Sequence, residues 1–420
     1  MSALPVPTLD RCPIDSSHLR LSVDELSCEV VRSFESIQHL RSQWDRLAKT
    51  VGSCIYCTFD WCKVWWDHYG QEDAAHINLF YVGEELVGVV PLYIDTVRLG
   101  RAKLRIAKII GSDYTQAVCD LPINSSWSKE IATETIDRLF SRGSCDAFAT
   151  GPISASSGTL LALKDAVKER SDLVYIARDR AEASQTIISL PDSLDAYIAS
   201  LSKNQRSNLR KEWRKLDKTY EIQTNVISDP SEASAEFEKF VHMHEKQWRT
   251  KGKLGHFGDW PNALQFNRSL VAALSEIGRL CLFQLKADGR VIARQYSLLF
   301  GDTCHCRFAA RNTGSSWESL GLGRVSLSKL FERMIDEGVS RVDAGTGRYE
   351  YKLRLGGKEQ GVRSLLIVAN RQDVKKKVRA FCTMADLLHR FYYRLWYCRI
   401  APRMPFRSRS LWKLWIRSRV

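Results

Sequence analysis

The sequence predicts a mixed α/β (α+β) protein built as two similar tandem units, and three observations carry that expectation. The chain has 420 residues, more than a single hydrophobic core usually organises. Apolar spacings of about 3.6 and about 2 residues follow one another along both halves, so helices and strands interleave. Each half also runs in the same order, with helices, an antiparallel meander, a helix and further strands, although the two do not repeat in sequence. Each unit is therefore expected to hold a mixed, largely antiparallel sheet flanked by helices. The expected divisions are a flexible leader at 1–28, a first unit at 29–180, a second at 181–370 and a basic aromatic tail at 371–420.

Taken in order, the leader is rich in early prolines and lacks apolar period. A strand near Glu29 leads to a helix around Ile37–Lys49, then to an aromatic-dense helical stretch from Phe59 to Tyr69. Ile77–Val82 and Glu85–Tyr93 read as a hairpin about Gly83-Glu84. Strands near Leu104–Ile110 and Ala117–Leu121 follow, then a helix about Ser128–Ser141 and a strand Asp146–Thr150. A helix Gly158–Lys168 and strands at Val174–Arg178 and Gln185–Leu190 complete this half. In the second half, helix Leu194–Ser200 precedes the basic run Lys203–Lys215. Strand Tyr220–Val226 and helices Ser231–Arg249 and up to Ile277 come next. Three strands then join by tight turns, Leu280–Leu285, Val291–Phe300 and Thr303–Ala310, and Val362–Ala369 is expected to close the second sheet.

Charge is concentrated rather than spread. The net charge is +14, and residues 371–420 hold fourteen Lys/Arg against only Asp373 and Asp386, which places +12 of it in the tail. The globular body is nearly neutral. Twelve cysteines form no regular framework. Cys54/Cys57 and Cys304/Cys306 lack a second pair at zinc-site spacing, so buried free thiols in a reducing cytosol are expected and no metal. The start carries no basic and apolar signal pattern, and no apolar run reaches the ~18 residues of a membrane span.

The stretch from Glu318 to Gly357 carries the functional signal. Gly321 and Gly323 permit a tight turn directly before a helix whose Leu322, Val325, Leu330, Met334 and Ile335 share a face. The free N–H groups of Gly321–Val325, with Arg324 beside them, are either an anion site for a phosphate or a capped helix start. Strand Arg341–Ala344 and a glycine-rich loop with Tyr349, Tyr351 and Lys352 follow.

These residues resemble the GNAT acyl-CoA N-acyltransferase superfamily, and in detail its CelD/Fem-like branch of polysaccharide-linked acetyltransferases. The resemblance spans about residues 30–370. It rests on Phe59-Asp60-Trp61 with Trp65-Trp66 and Val87–Leu92, on the run Lys203–Arg210, and on Asp343-Ala344-Gly345-Thr346-Gly347 followed by Tyr351-Lys352-Leu353-Arg354. Ala344 stands where the branch usually has an aromatic, Leu355 where it has Trp, and Leu322 where it has Pro.

The resemblance implies a transferase that moves an acyl, typically acetyl, group from acyl-CoA to an amine or hydroxyl of a sugar or polysaccharide-related acceptor by direct attack. Acetyl-CoA or another acyl-CoA is then the co-substrate, with its pyrophosphate on Gly321, Gly323, Arg324 and Val325. Asp343 and His305 are candidate bases, Tyr351 or Tyr349 the candidate acid, and Lys352 a further catalytic candidate on the same loop. Each has a structural alternative: loop capping for Asp343, a sheet histidine for His305, packing for the tyrosines. His244 and Trp248, four apart on one helix face, are candidates for an acceptor groove or for core. Arg206 and Arg210, neighbours of Lys203 on a helix, are candidates for gripping an anionic acceptor or a CoA phosphate, for a solvated face, or for RNA. Fem-type relatives use aminoacyl-tRNA, so tRNA as donor is the alternative, and a non-catalytic module in polysaccharide synthesis is a third. In the tail, Phe381, Met384, Leu388, Phe391, Leu395 and Cys398 recur at helical spacing, followed by Trp412 and Trp415 among basic residues. A cytoplasmic protein, peripheral on an anionic inner membrane face, is expected.

Overall fold

The computed structural model describes residues 25–403 apart from 72–73, 100–101, 116, 142, 251, 254, 315–316, 318–319 and 401–402. Most of the expected leader and the end of the tail, with Trp412 and Trp415, lie outside the described residues. Strand β1 (Leu26–Val31), helix α1 (Arg41–Thr50) and helix α2 (Phe59–Tyr69) precede a meander of β2 (Ala75–Val82), β3 (Glu85–Leu99) and β4 (Ala102–Ile109). Helix α3 (Ser128–Phe140) returns the chain to β5 (Ala147–Ala149), and β6 (Ile153–Ser154), α4 (Gly158–Glu169) and β7 (Val174–Ala181) follow.

The second half opens with β8 (Gln185–Ser189), α5 (Leu194–Ser200), α6 (Lys203–Asp217), β9 (Ile222–Ile227), α7 (Pro230–Arg249), α8 (Gly255–Asp259) and α9 (Ala263–Ser275). A second meander, β10 (Leu280–Ala287), β11 (Arg290–Phe300) and β12 (Thr303–Arg311), leads through α10 (Leu322–Asp336) to β13 (Arg341–Thr346). Last come α11 (Glu350–Arg354), β14 (Lys358–Gln360), β15 (Val362–Ala369), α12 (Gln372–Phe391) and a π-helical segment Tyr392–Ile400.

Local chemistry explains where several of these elements begin. Ser202 and Gln205 form a reciprocal capping box at the start of α6. Asp229 caps α7, which has Pro230 in its first turn. Asp288 and Gly289 both take positive φ, 48° and 75°, the backbone that a two-residue hairpin between β10 and β11 demands.

Two mixed sheets result, each flanked by helices. The first runs β1-β2-β3-β4-β5-β15-β6, with β7 also paired to β15; the second runs β14-β8-β13-β12-β11-β10-β9. Both contain a three-stranded antiparallel meander whose last strand crosses over through a helix to a parallel neighbour. Val362–Ala369 does not close the second sheet as the sequence suggested. It pairs antiparallel with β5, β6 and β7 in the first sheet. Conversely, β8 pairs with β13 and β14 of the second. A largely apolar strand such as β15 states that it is buried but not in which sheet, because partner choice is a long-range property. Ala117–Leu121, expected as a strand, contributes only an isolated bridge at Cys119.

The second sheet is buried on both faces. Leu280 and Leu282 of β10 turn into one core, continuous with the first unit and including Trp61, Phe237, Phe240, Phe266, Tyr296 and Phe308. Cys281, Phe283 and Leu285 turn into the other, with α5, α6 and α10. Alternation along one strand thus joins two packing layers. Because α2 packs on α9, with Trp61 and Phe266 edge to face at 5.5 Å, the first unit forms one wall of the second unit's site.

Candidate active site

Strands β12 and β13 run parallel for three residue pairs, Thr303 with Arg341, Cys304 with Val342 and His305 with Asp343. Beyond that point β12 stays with β11 and β13 with β8, so the two part and leave a notch at their carboxyl ends. In open α/β sheets such a crevice is where ligands sit. A β-bulge shapes its rim: Ser297 faces Cys306 and Tyr296 faces Phe308, which leaves Arg307 as the extra residue. Opposite it, Gly345 has φ 76°, a conformation that strains any residue with a Cβ.

At the apex His305 Nδ1 lies 3.2 Å from Asp343 Oδ2, and both side chains are buried. Asp343 Oδ1 also accepts the Gly345 N–H at 2.8 Å. Burial pushes the Asp343 carboxyl up, but the His305 contact, the Gly345 amide and Gln185 outweigh it and hold the acid below its usual range. A charged Asp343 is an acceptor suited to an Nδ1–H of His305, and in that neutral tautomer Nε2 carries the ring's lone pair. The Tyr56 ring, from the first unit, meets the His305 ring edge to face at 5.4 Å. Burial, reinforced by Asp343, raises the Tyr56 phenol so that it stays protonated.

The loop after β13 becomes the short helix α11 and folds back over this apex. Lys352 is buried and donates to the carbonyls of Gly345 at 3.1 Å and Thr346 at 3.2 Å, so it fixes the end of β13. Burial lowers its pKa, an effect that Cys306 and Asp343 partly offset. Tyr351 is pushed up to about 12, chiefly by burial, then by Cys306 and Tyr349. Its ring lies 5.9 Å from that of Tyr349, and both tyrosines reach the surface. His305, Asp343, Tyr351 and Lys352 are therefore brought together.

The start of α10 is organised differently from an open cradle. Gly321 is the left-handed N-cap, at φ 61°, and its carbonyl already accepts the Arg324 and Val325 amides. The Glu212 side chain lies against this turn, 3.2 Å from where a Cβ on Gly321 would stand, and pairs with the Arg324 guanidinium. A carboxylate of this chain thus occupies the positive end of the helix. Trp213 Nε1, donating to Ser328 Oγ at 2.9 Å, locks α6 onto α10 beside it.

The remaining candidates separate. His244 is fully buried, with Nε2 3.2 Å from His256 Nδ1, among Phe240, Trp248, Phe257 and Phe308. Burial, aided by His256, lowers its pKa to about 3, so it is a neutral core histidine at pH 7. Trp248 is half-buried beside it. On α6, Arg206 donates to the Ala199 carbonyl at 2.9 Å, whereas Arg210 is exposed. Gln205 of the same helix donates to the Leu353 carbonyl at 3.1 Å, so the start of α6 borders α11.

Three site residues carried little sequence signal. Tyr56 comes from a segment 249 positions before His305 (305 less 56) and announces nothing locally. Glu212 is the lone acid in the run Lys203–Lys215. Arg307 was legible in one respect, since it stands two residues after His305 on an expected strand.

Residues 203–353 match the family model of the Acetyltransferase (GNAT) domain, a span that contains Glu212, His305, Arg307, Asp343 and Lys352. This stretch is similar to a GNAT-type acetyltransferase domain. Among solved structures the chain is similar to FemX, at 10% identity and TM-score 0.55, over 80% of this chain and 96% of that one. It is also similar to a conserved protein of unknown function from Bacteroides thetaiotaomicron VPI-5482, at 8% identity and TM-score 0.48, over 82% and 100%. A tandem GNAT protein from the clavulanic acid biosynthesis pathway aligns at 10% identity and TM-score 0.42, over 82% and 98%. No curated protein matches the sequence. At these identities the FemX likeness establishes the fold.

Proposed function

We propose that the protein is an acyltransferase whose second unit moves an acyl group, acetyl in the simplest case, from acyl-CoA to an amine or hydroxyl of a sugar or polysaccharide-related acceptor. The observation that carries this reading is the buried His305–Asp343 pair, set where β12 and β13 part within the GNAT-type stretch. His305 Nε2 takes the proton of the attacking amine or hydroxyl while Asp343 holds the ring in the required tautomer. The new bond forms to the acyl carbon, the C–S bond breaks, and Tyr351 is placed to return a proton to the thiolate. The N–H at the Arg307 bulge is a donor for the developing oxyanion. Lys352 positions the loop.

Glu212 supports a second reading of the donor. Diphosphate at the start of α10 requires the Glu212–Arg324 pair to open, whereas an aminoacyl-tRNA donor does not need that cradle. Lys203, Arg210, Lys211 and Arg214 are exposed on α6 and suit a polyanion. Calorimetry with acetyl-CoA and gel shift with charged tRNA separate the donors. Acetyl-CoA binding supports the first reading and tRNA binding alone the second. Binding of neither leaves a non-catalytic module.

We further infer peripheral attachment to the inner, anionic membrane face. No helix among the described residues is long and apolar enough to cross a membrane. Helix α12 buries Val374, Val378 and Phe381 against the body, yet Leu387, Phe391 and Leu395 are 61%, 40% and 43% exposed. They recur every four residues, with exposed Arg390 and Arg394 alongside. Leu387→Ser with Phe391→Ser should release the protein from phosphatidylglycerol vesicles in a sedimentation assay; undiminished binding by the double variant contradicts the attachment.

A further inference from the structure

Arg307 is a cation without a counter-charge. No carboxylate pairs with it among the described residues, and its Nε is buried without a hydrogen-bond partner. Three cations elsewhere are matched by acids: Arg294 meets Glu236 at 2.6 Å, Arg279 meets Asp45 at 2.7 Å, and Lys108 meets Asp113 at 2.9 Å. Lys352 of the same site spends its donors on the Gly345 and Thr346 carbonyls. Instead, the Arg307 guanidinium stands over three rings, 4.8 Å from Trp61, 5.1 Å from Phe308 and 5.9 Å from Tyr56. Rings partly offset a cation but accept few hydrogen bonds; the Tyr56 and Tyr296 phenols offer neutral oxygens, and the Nε donor is left unspent.

The nearest acid of the site cannot serve. Asp343 is committed to His305 and to the Gly345 amide. The Tyr56 and Tyr296 phenols beside Arg307 are kept neutral by burial. Retaining an unbalanced guanidinium in a half-buried position is costly unless a partner arrives. Its place on the β12 bulge, two residues from His305, puts that partner in the notch.

We propose that Arg307 receives an oxyanion, a carboxylate or phosphate group carried by the acceptor, so that the molecule acylated here is anionic. The word acceptor rests on the transferase reading; the oxyanion site does not. Arg307 presents a planar fork suited to such a group, and aromatic walls exclude the water that would weaken the contact. Binding energy gathered there also orients the nucleophile toward His305.

The test is chemical modification of arginine in the full-length chain with phenylglyoxal, followed residue by residue through peptide mass spectrometry. It needs no turnover and no variant, so its failure is distinguishable from failure of the transferase reading. Inorganic phosphate and sodium acetate are the probes, with sodium chloride at equal ionic strength as control. The expected result is that Arg307 is modified in chloride and protected about fivefold or more by at least one oxyanion, the scale of one charge-assisted pair. Protection by phosphate alone assigns a phosphate-bearing acceptor, by acetate alone a carboxylate-bearing one, and by both an oxyanion of either kind. Equal modification in all three salts overturns the proposal, and so does an Arg307 that never reacts.

Discussion

The two sheets contain the same parallel crossover and finish it in opposite ways. In the first, β4 and β5 pair from Ile106 with Ala147 to Lys108 with Ala149; in the second, β12 and β13 end on His305 with Asp343. Lys108 therefore holds the position of His305. It is buried, with Asp113 at 2.9 Å and Asp95 at 3.5 Å, and Tyr93 donates to the same Asp113 at 2.8 Å. A shallow crevice opens beside that network, but its charges answer one another: Arg180 meets Glu182 at 2.7 Å, and Ser364 donates to Glu182 at 2.7 Å. The second notch instead leaves a free imidazole lone pair and an unmatched guanidinium. One backbone plan thus forms a closed electrostatic plug in one unit and, on the proposed function, a place for chemistry in the other.

The contrast breaks most sharply at Asp343. Asp343→Asn should lower the rate of acyl transfer by about 10²- to 10⁴-fold, the range of general base catalysis, with a smaller change in KM. Steady-state kinetics on folded variant protein checks it. In the first unit the loss should be structural: Lys108→Met leaves Asp95 and Asp113 buried without their cation. Urea unfolding should show destabilisation of about 3–5 kcal/mol.

A third prediction concerns the histidine pair buried against the second sheet. His244 and His256 have pKa values lowered to about 3 and about 4, mainly by burial, against an ordinary 6.5. Below pH 6.5 the unfolded chain binds protons that the folded chain refuses, so stability falls with falling pH down to those values. At pH 5 the loss amounts to roughly 2 kcal/mol per histidine. Urea midpoints at pH 7 and pH 5 measure it, and His256→Gln should remove about half of the difference. The smallest effect belongs to Glu212. Glu212→Ala frees the positive end of α10 and should tighten acetyl-CoA binding by about 5- to 30-fold, equivalent to roughly 1–2 kcal/mol. Unchanged affinity in calorimetry would place the diphosphate elsewhere.

Much of this architecture was readable from local pattern. The meander Leu280–Ala310 showed alternating apolar residues and glycine turns, and α10 announced itself by Gly321 and its apolar face. Asp343 was legible as a candidate because it ends a strand beside a glycine-rich turn, and His305 because it stands within a strand. What local pattern did not convey was pairing at a distance. β15 reads as a buried strand, yet its neighbours Ala149 and Arg178 are settled only when the chain returns to the first sheet. Glu212, the lone acid of a basic helix, gains its role only where α6 packs on α10. His244 could have faced a groove or the core, and the structure turns it into the core. In each case tertiary packing chose among options that local sequence left equal.

The central claim, acyl transfer at the second notch, is tested most directly by incubating the protein with radiolabelled acetyl-CoA, or with charged tRNA, and a panel of amine and hydroxyl acceptors, beside His305→Gln. The account predicts label transferred from one of these donors by the native chain and a loss of at least about 10²-fold in His305→Gln. Transfer by neither donor, or undiminished transfer by that variant, would contradict it.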